Sequence, residues 1–168
     1  ALMRLKDGTH VLTLLRGLDV HGRVTSDRDE PIADATVWSG ERDFADRKQT
    51  KTDVEGRFTF RNVKAGRTLF SAMATSREPA TQYQTVGADM PEVVFRLAAG
   101  SVIRARVQNA EGDPLAGVRV ALEGAGDIGR TYEFSTQTDG DGRFEWDSAP
   151  DKPMQFYFGA AGYEQKRN

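Results

Sequence analysis

A repeated pattern is the feature that most restricts how this chain can fold. Pro31 to Val37 (PIADATV) recurs as Pro114 to Val120 (PLAGVRV), which is 83 positions later because 114 − 31 = 83. Thr52 to Phe60 recurs as Thr138 to Trp146 at a spacing of 86, since 138 − 52 = 86. A surface loop accommodates this drift of three residues. Self-similarity at a fixed spacing indicates a duplicated structural unit.

Apolar and polar residues alternate along most of the chain, which is the period of a β-strand. Clear examples are Leu18 to Val24, Val93 to Leu97 and Met154 to Ala160. Each presents one apolar and one polar face, as a half-buried strand does. No long window has the apolar spacing of a helix, and Gly and Pro interrupt the chain at short intervals. The predicted fold class is therefore all-β, with several short strands and no significant helix.

The repeat predicts two tandem copies of one domain, and the first copy begins at residue 18 rather than at the start of the sequence. Copy 1 occupies residues 18–100, and copy 2 occupies residues 101–168. Copy 2 lacks its own last strand, because it has no counterpart of Thr81 to Leu97. A linker of only a few residues, Leu97 to Ser101, joins the copies, which favours a fixed orientation.

Residues 1–17 align with the end of a copy rather than with its beginning. Leu12 and Leu14 fall on Phe95 and Leu97 at the spacing of 83. The segment is thus either the closing strand of an upstream repeat or a strand that completes copy 2, within the chain or by strand exchange with another chain. An unpaired strand edge invites such pairing. Its apolar group is too short and interrupted for a signal peptide or a membrane helix.

Composition excludes several classes of function. The chain has 23 Lys and Arg against 25 Asp and Glu, a balance that indicates neither a nucleic-acid partner nor membrane insertion. It has no cysteine, which excludes disulfides, thiolate zinc sites and a cysteine nucleophile. The two copies must therefore be stabilised by their apolar cores alone.

The repeated Thr-Asp-x-x-Gly-x-Phe motif is typical of a tight turn at a hairpin tip. Asp53 with Gly56, and Asp139 with Gly142, supply a side-chain acceptor and a residue that tolerates positive φ. The alternative is a calcium loop at Asp139 and Asp141, but the twelfth position of an EF-type loop would be Pro150 rather than a bidentate Glu. We predict structural turns here, with calcium left as the minor alternative.

The sequence gives little indication of a catalytic site. The two histidines, His10 and His21, lie on different predicted strands and form no metal motif. No Gly-x-Ser-x-Gly occurs, and a copy of this size has little room for a walled cleft. The prediction is a protein with no catalytic residue, no metal and no cofactor.

Exposed aromatic residues make copy 1 a candidate binding surface. If Val37 faces the core, alternation turns Trp38 outward, and its counterpart in copy 2 is Ala121. Phe44 follows in a charged loop that also contains Arg42 and Arg47. Aromatic rings with polar neighbours suit a carbohydrate or a protein partner. The alternative is that Trp38 lies against the other copy or under its own loop.

These motifs resemble the carboxypeptidase regulatory-like domains, a family with a transthyretin-like (prealbumin-like) Greek-key β-sandwich of about seven strands. Its elements are a Gly-x-Val strand, a Pro before an Ala-x-Val strand, Thr-Asp-x-x-Gly-x-Phe, and Ala-x-Gly-Tyr. In this chain they are Gly22-Arg23-Val24, Pro31 to Val37, Thr52 to Phe58 and, in copy 2, Pro114 to Val120, Thr138 to Phe144 and Ala160 to Tyr163. The sequence departs from the pattern at Ala105, which replaces the first glycine, and at Ala72 to Thr75, where Gly-Tyr is expected.

The resemblance implies a non-catalytic module of a larger exported protein, found in the periplasm, at the surface or secreted. Such domains occur in tandem beside peptidases, receptors and adhesins. The implied role is a structural spacer or interaction domain that contacts neighbouring domains of the same polypeptide. The alternatives are a carbohydrate- or protein-binding module that uses the exposed aromatics of copy 1, and an accessory domain of a peptidase.

Overall fold

The computed structural model describes residues 13–41, 44–124 and 134–167. Every regular element within these ranges is a β-strand, as the alternation predicts. The strands are β1 Leu18–Ser26, β2 Thr36–Ser39, β3 Lys48–Lys51, β4 Arg57–Val63, β5 Gly66–Met73, β6 Ala80–Val86, β7 Val93–Leu97, β8 Ser101–Arg106, β9 Arg119–Gly124, β10 Ser135–Gln137, β11 Arg143–Ala149, β12 Gln155–Gly159 and β13 Lys166–Arg167.

Strands β1 to β7 form the first unit, a sandwich of two sheets. One sheet has the order β4-β1-β7 and the other the order β3-β2-β5-β6. β1 runs antiparallel to β4 and parallel to β7. The alternate residues that face inward form one buried cluster, which includes Val20, Val24, Val37, Phe60 and Phe70. The predicted all-β sandwich is confirmed.

Strands β8 to β13 form the second unit, whose described part has fewer strands. One sheet contains β11 and β8, and the other has the order β10-β9-β12-β13. A separate buried cluster holds them together through Val120, Phe134, Phe144, Trp146 and Ala149. The Phe134 ring stacks on Trp146 with the centroids 4.4 Å apart. Aromatic stacking thus stabilises this core without any cysteine.

The repeated threonine clamps two backbone groups in each unit. The Thr52 hydroxyl donates to the Ile32 carbonyl at 2.7 Å and accepts from the Ala35 N–H at 2.9 Å. The Thr138 hydroxyl donates to the Leu115 carbonyl at 2.6 Å and accepts from the Val118 N–H at 3.0 Å. Both threonines are only 5% exposed. The clamp fixes the Pro-containing segment against the start of the hairpin, which explains why both motifs recur together.

The N-terminal strand predicted for residues 1–17 falls mostly outside the described residues, which begin at residue 13. Thr13 to Gly17 are not part of a strand, and Leu14 and Leu15 are 94% and 90% exposed. The role of this segment as a closing or completing strand therefore stays a prediction.

Candidate functional site

The two Asp-containing turns have the same geometry. The Asp53 carboxylate accepts the N–H groups of Glu55 and Arg57, both at 2.9 Å, and the Asp139 carboxylate accepts those of Asp141 and Arg143 at 3.0 and 2.8 Å. These bonds occupy one carboxylate oxygen of each residue within its own turn. The arrangement is that of an Asx-type turn at a hairpin tip.

Glycine ends each of these turns because no side chain fits there. Gly56 and Gly142 have φ of 73° and 72°, in the left-handed region. A Cβ atom on Gly56 would also collide with the carbonyl oxygen of Val24, and one on Gly142 with that of Val107. The turn therefore packs directly on β1 in the first unit and on Val107, just after β8, in the second.

Trp38 lies on the outer face of its sheet, as alternation from the fully buried Val37 predicts. Its ring is half-buried, because it packs against the core cluster of the second unit together with Met73. The indole N–H donates to the Gln49 side chain at 3.2 Å, and the Arg47 guanidinium lies 5.3 Å from the ring centroid. Trp38 thus contacts both the second unit and the loop of its own unit.

Phe44 lies in a separate cleft of about 410 Å³ on the first unit. Its ring is 61% exposed, and the cleft is also lined by Lys64, Arg67 and Tyr83. The Arg67 guanidinium covers the Tyr83 ring at 4.1 Å from the centroid. Arg67 and Tyr83 could not be predicted as site residues, because the sequence does not show which strands lie next to the charged loop that contains Phe44.

The other candidate residues do not gather into one site. Arg42 and His10 lie outside the described residues, and Arg47 contacts Trp38 rather than the Phe44 cleft lining. On the exposed face of β1, the Nδ1 atom of His21 lies 3.1 Å from the hydroxyl oxygen of Thr59 on β4. Among the residues that the structure describes, no group of three His, Asp or Glu side chains is placed to hold a metal ion.

The connection between the units is tied to the first unit by backbone hydrogen bonds. The Glu78 N–H donates to the Ala98 carbonyl at 3.0 Å, and the Gly100 N–H donates to the Ser76 carbonyl at 3.0 Å. Arg77 and Ala99 form an isolated β-bridge between these bonds. At the next residue, Ser101 pairs with Ala149 in the second unit. The linker predicted at Leu97 to Ser101 is thus held on both sides.

Side chains add further contacts across this joint. The Ser76 hydroxyl donates to the Asp147 carboxylate at 2.5 Å, and the Lys152 ammonium lies 3.9 Å from Glu78. The hydrogen bond from Ser76, with a second from Ser148, lowers the pKa of Asp147 below its ordinary value of 3.8. A Cβ atom on Gly100 would lie 2.6 Å from the Ser148 Cα, so the two backbones touch.

No helix in the described ranges is long and apolar enough to cross a membrane. Among solved structures, the chain is similar to the Bacillus anthracis TIE protein, at 12% identity and a TM-score of 0.41, covering 89% of this chain and 30% of that one. It is also similar to a Streptococcal ancillary pilin, at 11% identity and a TM-score of 0.36, covering 83% and 52%. The chain therefore spans about a third to a half of these proteins. No curated protein matches the chain.

A comparison with protein families matches residues 19–98 to the carboxypeptidase regulatory-like domain. The matched range begins within β1 and ends just after β7, so it coincides with the first unit of the structure. The first unit of the chain is therefore similar, over residues 19–98, to the carboxypeptidase regulatory-like domain family.

Proposed function

We propose that this chain is a non-catalytic structural module, a tandem pair of β-sandwich domains that holds its neighbours in a larger exported protein at a fixed distance and angle. The family of the first unit supports a regulatory or structural role rather than catalysis. Export is inferred from the resemblance to that family, and the neighbouring domains of the same polypeptide are the proposed partners.

The joint between the units is the observation that carries this proposal. Backbone hydrogen bonds with Ser76 as acceptor and Glu78 as donor hold the linker on one side, and the pairing of Ser101 holds it on the other. Trp38 and Met73 cover the second core from the outside. A connection with both hydrogen bonds and apolar contacts resists bending, whereas a flexible linker would leave the units free to reorient.

A pair of glycine substitutions tests whether the joint is rigid. Gly100→Ala places a Cβ atom 2.6 Å from the Ser148 Cα, so the backbones must separate. Gly87→Ala is the matched control, because no atom lies within 4 Å of its added Cβ. We expect small-angle scattering to give one compact arrangement for the wild type and Gly87→Ala, and a broader distribution of distances for Gly100→Ala. A freely jointed dumbbell for the wild type would contradict the proposal.

The Phe44 cleft supports a second candidate function, binding of a carbohydrate or a protein segment. The exposed Phe44 lines a cleft of about 410 Å³ together with the Arg67–Tyr83 pair. Aromatic faces with charged neighbours suit stacking on a sugar ring. Trp38 lies outside this cleft and is the weaker candidate, because its ring already contacts the second unit.

A glycan array followed by titration tests this candidate. Phe44→Ala is expected to weaken any identified ligand at least tenfold, since aromatic residues dominate such contacts. Val54→Ala is the control, because Val54 is 84% exposed and lies outside the cleft lining. An array without any ligand, or equal affinity for wild type and Phe44→Ala, would exclude a binding role for this cleft.

A further inference from the structure

We propose that two copies of this chain pair along the edge of β6, with the two β6 strands antiparallel and related by a two-fold axis at Tyr83. The partner is a second copy of this chain, because the strand is complementary to itself. The association involves the first unit alone, goes beyond the spacer role and does not depend on it. Three features of β6 support it: the composition of the edge, the direction of its backbone groups and the symmetry of its sequence.

The composition of β6 differs from that of the other three edge strands of the first unit. Each of those three carries charged side chains within the strand, namely Lys48 and Lys51 on β3, Arg57 and Arg61 on β4, and Arg96 on β7. β6 has neither a charged residue nor a proline over its seven residues, Ala80–Val86. Charged side chains and prolines are the devices that protect a strand edge from pairing with another chain. The β6 edge therefore lacks the usual protection.

β6 is also a regular strand, which suits it to further pairing. It pairs with β5 at seven consecutive positions without a bulge, and no other strand of the described residues is hydrogen-bonded to it. The edge of β7 beside it is partly satisfied, because the Gln82 side chain donates to the Val94 carbonyl at 3.0 Å. Main-chain pairing of an extended segment with a sheet edge is a common mode of recognition. Of these two neighbouring edges, β6 is the one that can extend its sheet.

The hydrogen bond of Gly40 shows which residues of β6 direct their backbone groups towards the edge. The Gly40 N–H donates to the Leu69 carbonyl at 2.8 Å, so the backbone groups of Leu69 point towards β2 and away from β6. Tyr83 lies opposite Leu69, and in such an antiparallel pair the backbone groups of both residues point away from each other. Thr81, Tyr83 and Thr85 therefore direct their N–H and C=O groups towards the edge.

The sequence of this edge is symmetric about Tyr83. Residues 81–85 read Thr-Gln-Tyr-Gln-Thr, which is the same in both directions. Antiparallel pairing about a two-fold axis at Tyr83 places this residue opposite its own copy, and Thr81 opposite Thr85 of the second copy. Each such pair exchanges two backbone hydrogen bonds. Aromatic pairs and threonine pairs are favourable across neighbouring strands, so a second copy of β6 suits the edge in its side chains as well.

The pairing joins the two sheets that contain β6 into one continuous sheet. The Tyr83 ring lies on the outer face of this sheet, where the Arg67 guanidinium is 4.1 Å from its centroid, so the tyrosines of both copies meet on that face. Only one short strand from each copy pairs, so the association is expected to be reversible. A two-fold pairing uses the β6 edges of both copies, and it therefore stops at a dimer.

Sedimentation velocity of the 168-residue chain over a concentration series tests the proposal. The average mass should rise towards that of a dimer and not beyond it. Thr81→Lys with Thr85→Lys places like charges opposite each other twice, and it should weaken the dimer by about tenfold or more. Thr81→Lys with Thr85→Glu is the matched control, because each lysine then lies opposite a glutamate of the second copy and the dimer should persist. Within one chain the two positions are about 13 Å apart, so the variants differ mainly across the edge.

Amide hydrogen exchange tests which backbone groups take part. The N–H groups of Thr81 and Thr85 should exchange more slowly as the concentration rises, because the dimer bonds them across the edge. Those of Gln82 and Gln84 bond to β5 in every copy, so their exchange should change much less with concentration. A chain that stays monomeric, masses beyond a dimer, equal dimerisation of the two double variants, or exchange at Thr81 and Thr85 that is independent of concentration would each overturn the proposal.

Discussion

Replacing Thr52 by valine should destabilise the first unit strongly, although the two side chains have nearly the same shape. The Thr52 hydroxyl makes two hydrogen bonds, at 2.9 Å from the Ala35 N–H and at 2.7 Å to the Ile32 carbonyl. Ala35 is 0% exposed, so its N–H would lose its partner without access to water, at about 1 to 3 kcal/mol. The Ile32 carbonyl is less buried and adds about 1 kcal/mol. We expect a total loss of roughly 2 to 4 kcal/mol.

This loss is measured by urea unfolding, monitored through the amide NMR signals of the first unit. These signals report the free energy of unfolding of the first unit separately from that of the second unit. Thr52→Ser keeps the hydroxyl and removes one methyl group, so it should cost only about 0.8 kcal/mol. Thr59→Val, on the exposed face of β4, should change stability by less than about 0.5 kcal/mol. The reasoning is refuted if Thr52→Val costs less than 1 kcal/mol, or if Thr52→Ser costs as much as Thr52→Val.

Three further predictions concern the cores and the joint. Gly22→Ala should cost about 1 to 3 kcal/mol by over-packing against Phe58 and the Val93 carbonyl, measured by the same unfolding experiment. Phe70→Ala should cost about 3 to 5 kcal/mol, and Phe156→Ala clearly less because its ring is only half-buried, as compared by urea midpoints. Ser76→Ala should raise the pKa of Asp147 toward 3.8 in an NMR titration. The pKa of Asp147 is lowered in the folded state, so its full contribution to the stability of the joint is present above pH 3.8. That stability is lost as the pH falls through the folded-state pKa. Ser76→Ala should make this loss of stability smaller.

Much of the fold could be predicted because strand alternation and the turn motifs depend on residues that are close together in the sequence. Alternation determines which residues of a strand point inward, and the buried Phe58 and Phe60, like Phe144 and Trp146, alternate with less buried residues. Asp and Gly in the turns act through backbone bonds within five residues. The parallel pairing of β1 with β7 was not predictable in this way, because it joins residues about 70 positions apart.

The surroundings of the candidate site residues depend on contacts that no local pattern encodes. Alternation turned Trp38 outward correctly, but it does not say whether an outward face meets solvent or a second unit. The Ser76–Asp147 bond joins residues 71 positions apart, and neither residue belongs to a recognisable motif. Tyr83 and Phe44 line the same cleft only because the loop that contains Phe44 lies beside strands distant in the sequence. Such contacts arise from the packing of complete units, so a structure is needed to find them.

The two units differ in the apolar area of their corresponding outer faces. Trp38 and Met73 are the large residues through which the first unit covers the second core. By register, their counterparts are Ala121 and Gly159, because Thr36 faces Met73 as Arg119 faces Gly159. The second unit therefore offers much less apolar area to a following unit than the first unit does. Buried apolar area contributes about 25 cal/mol per Å², so the outer face of the first unit stabilises a joint more than the corresponding face of the second unit can.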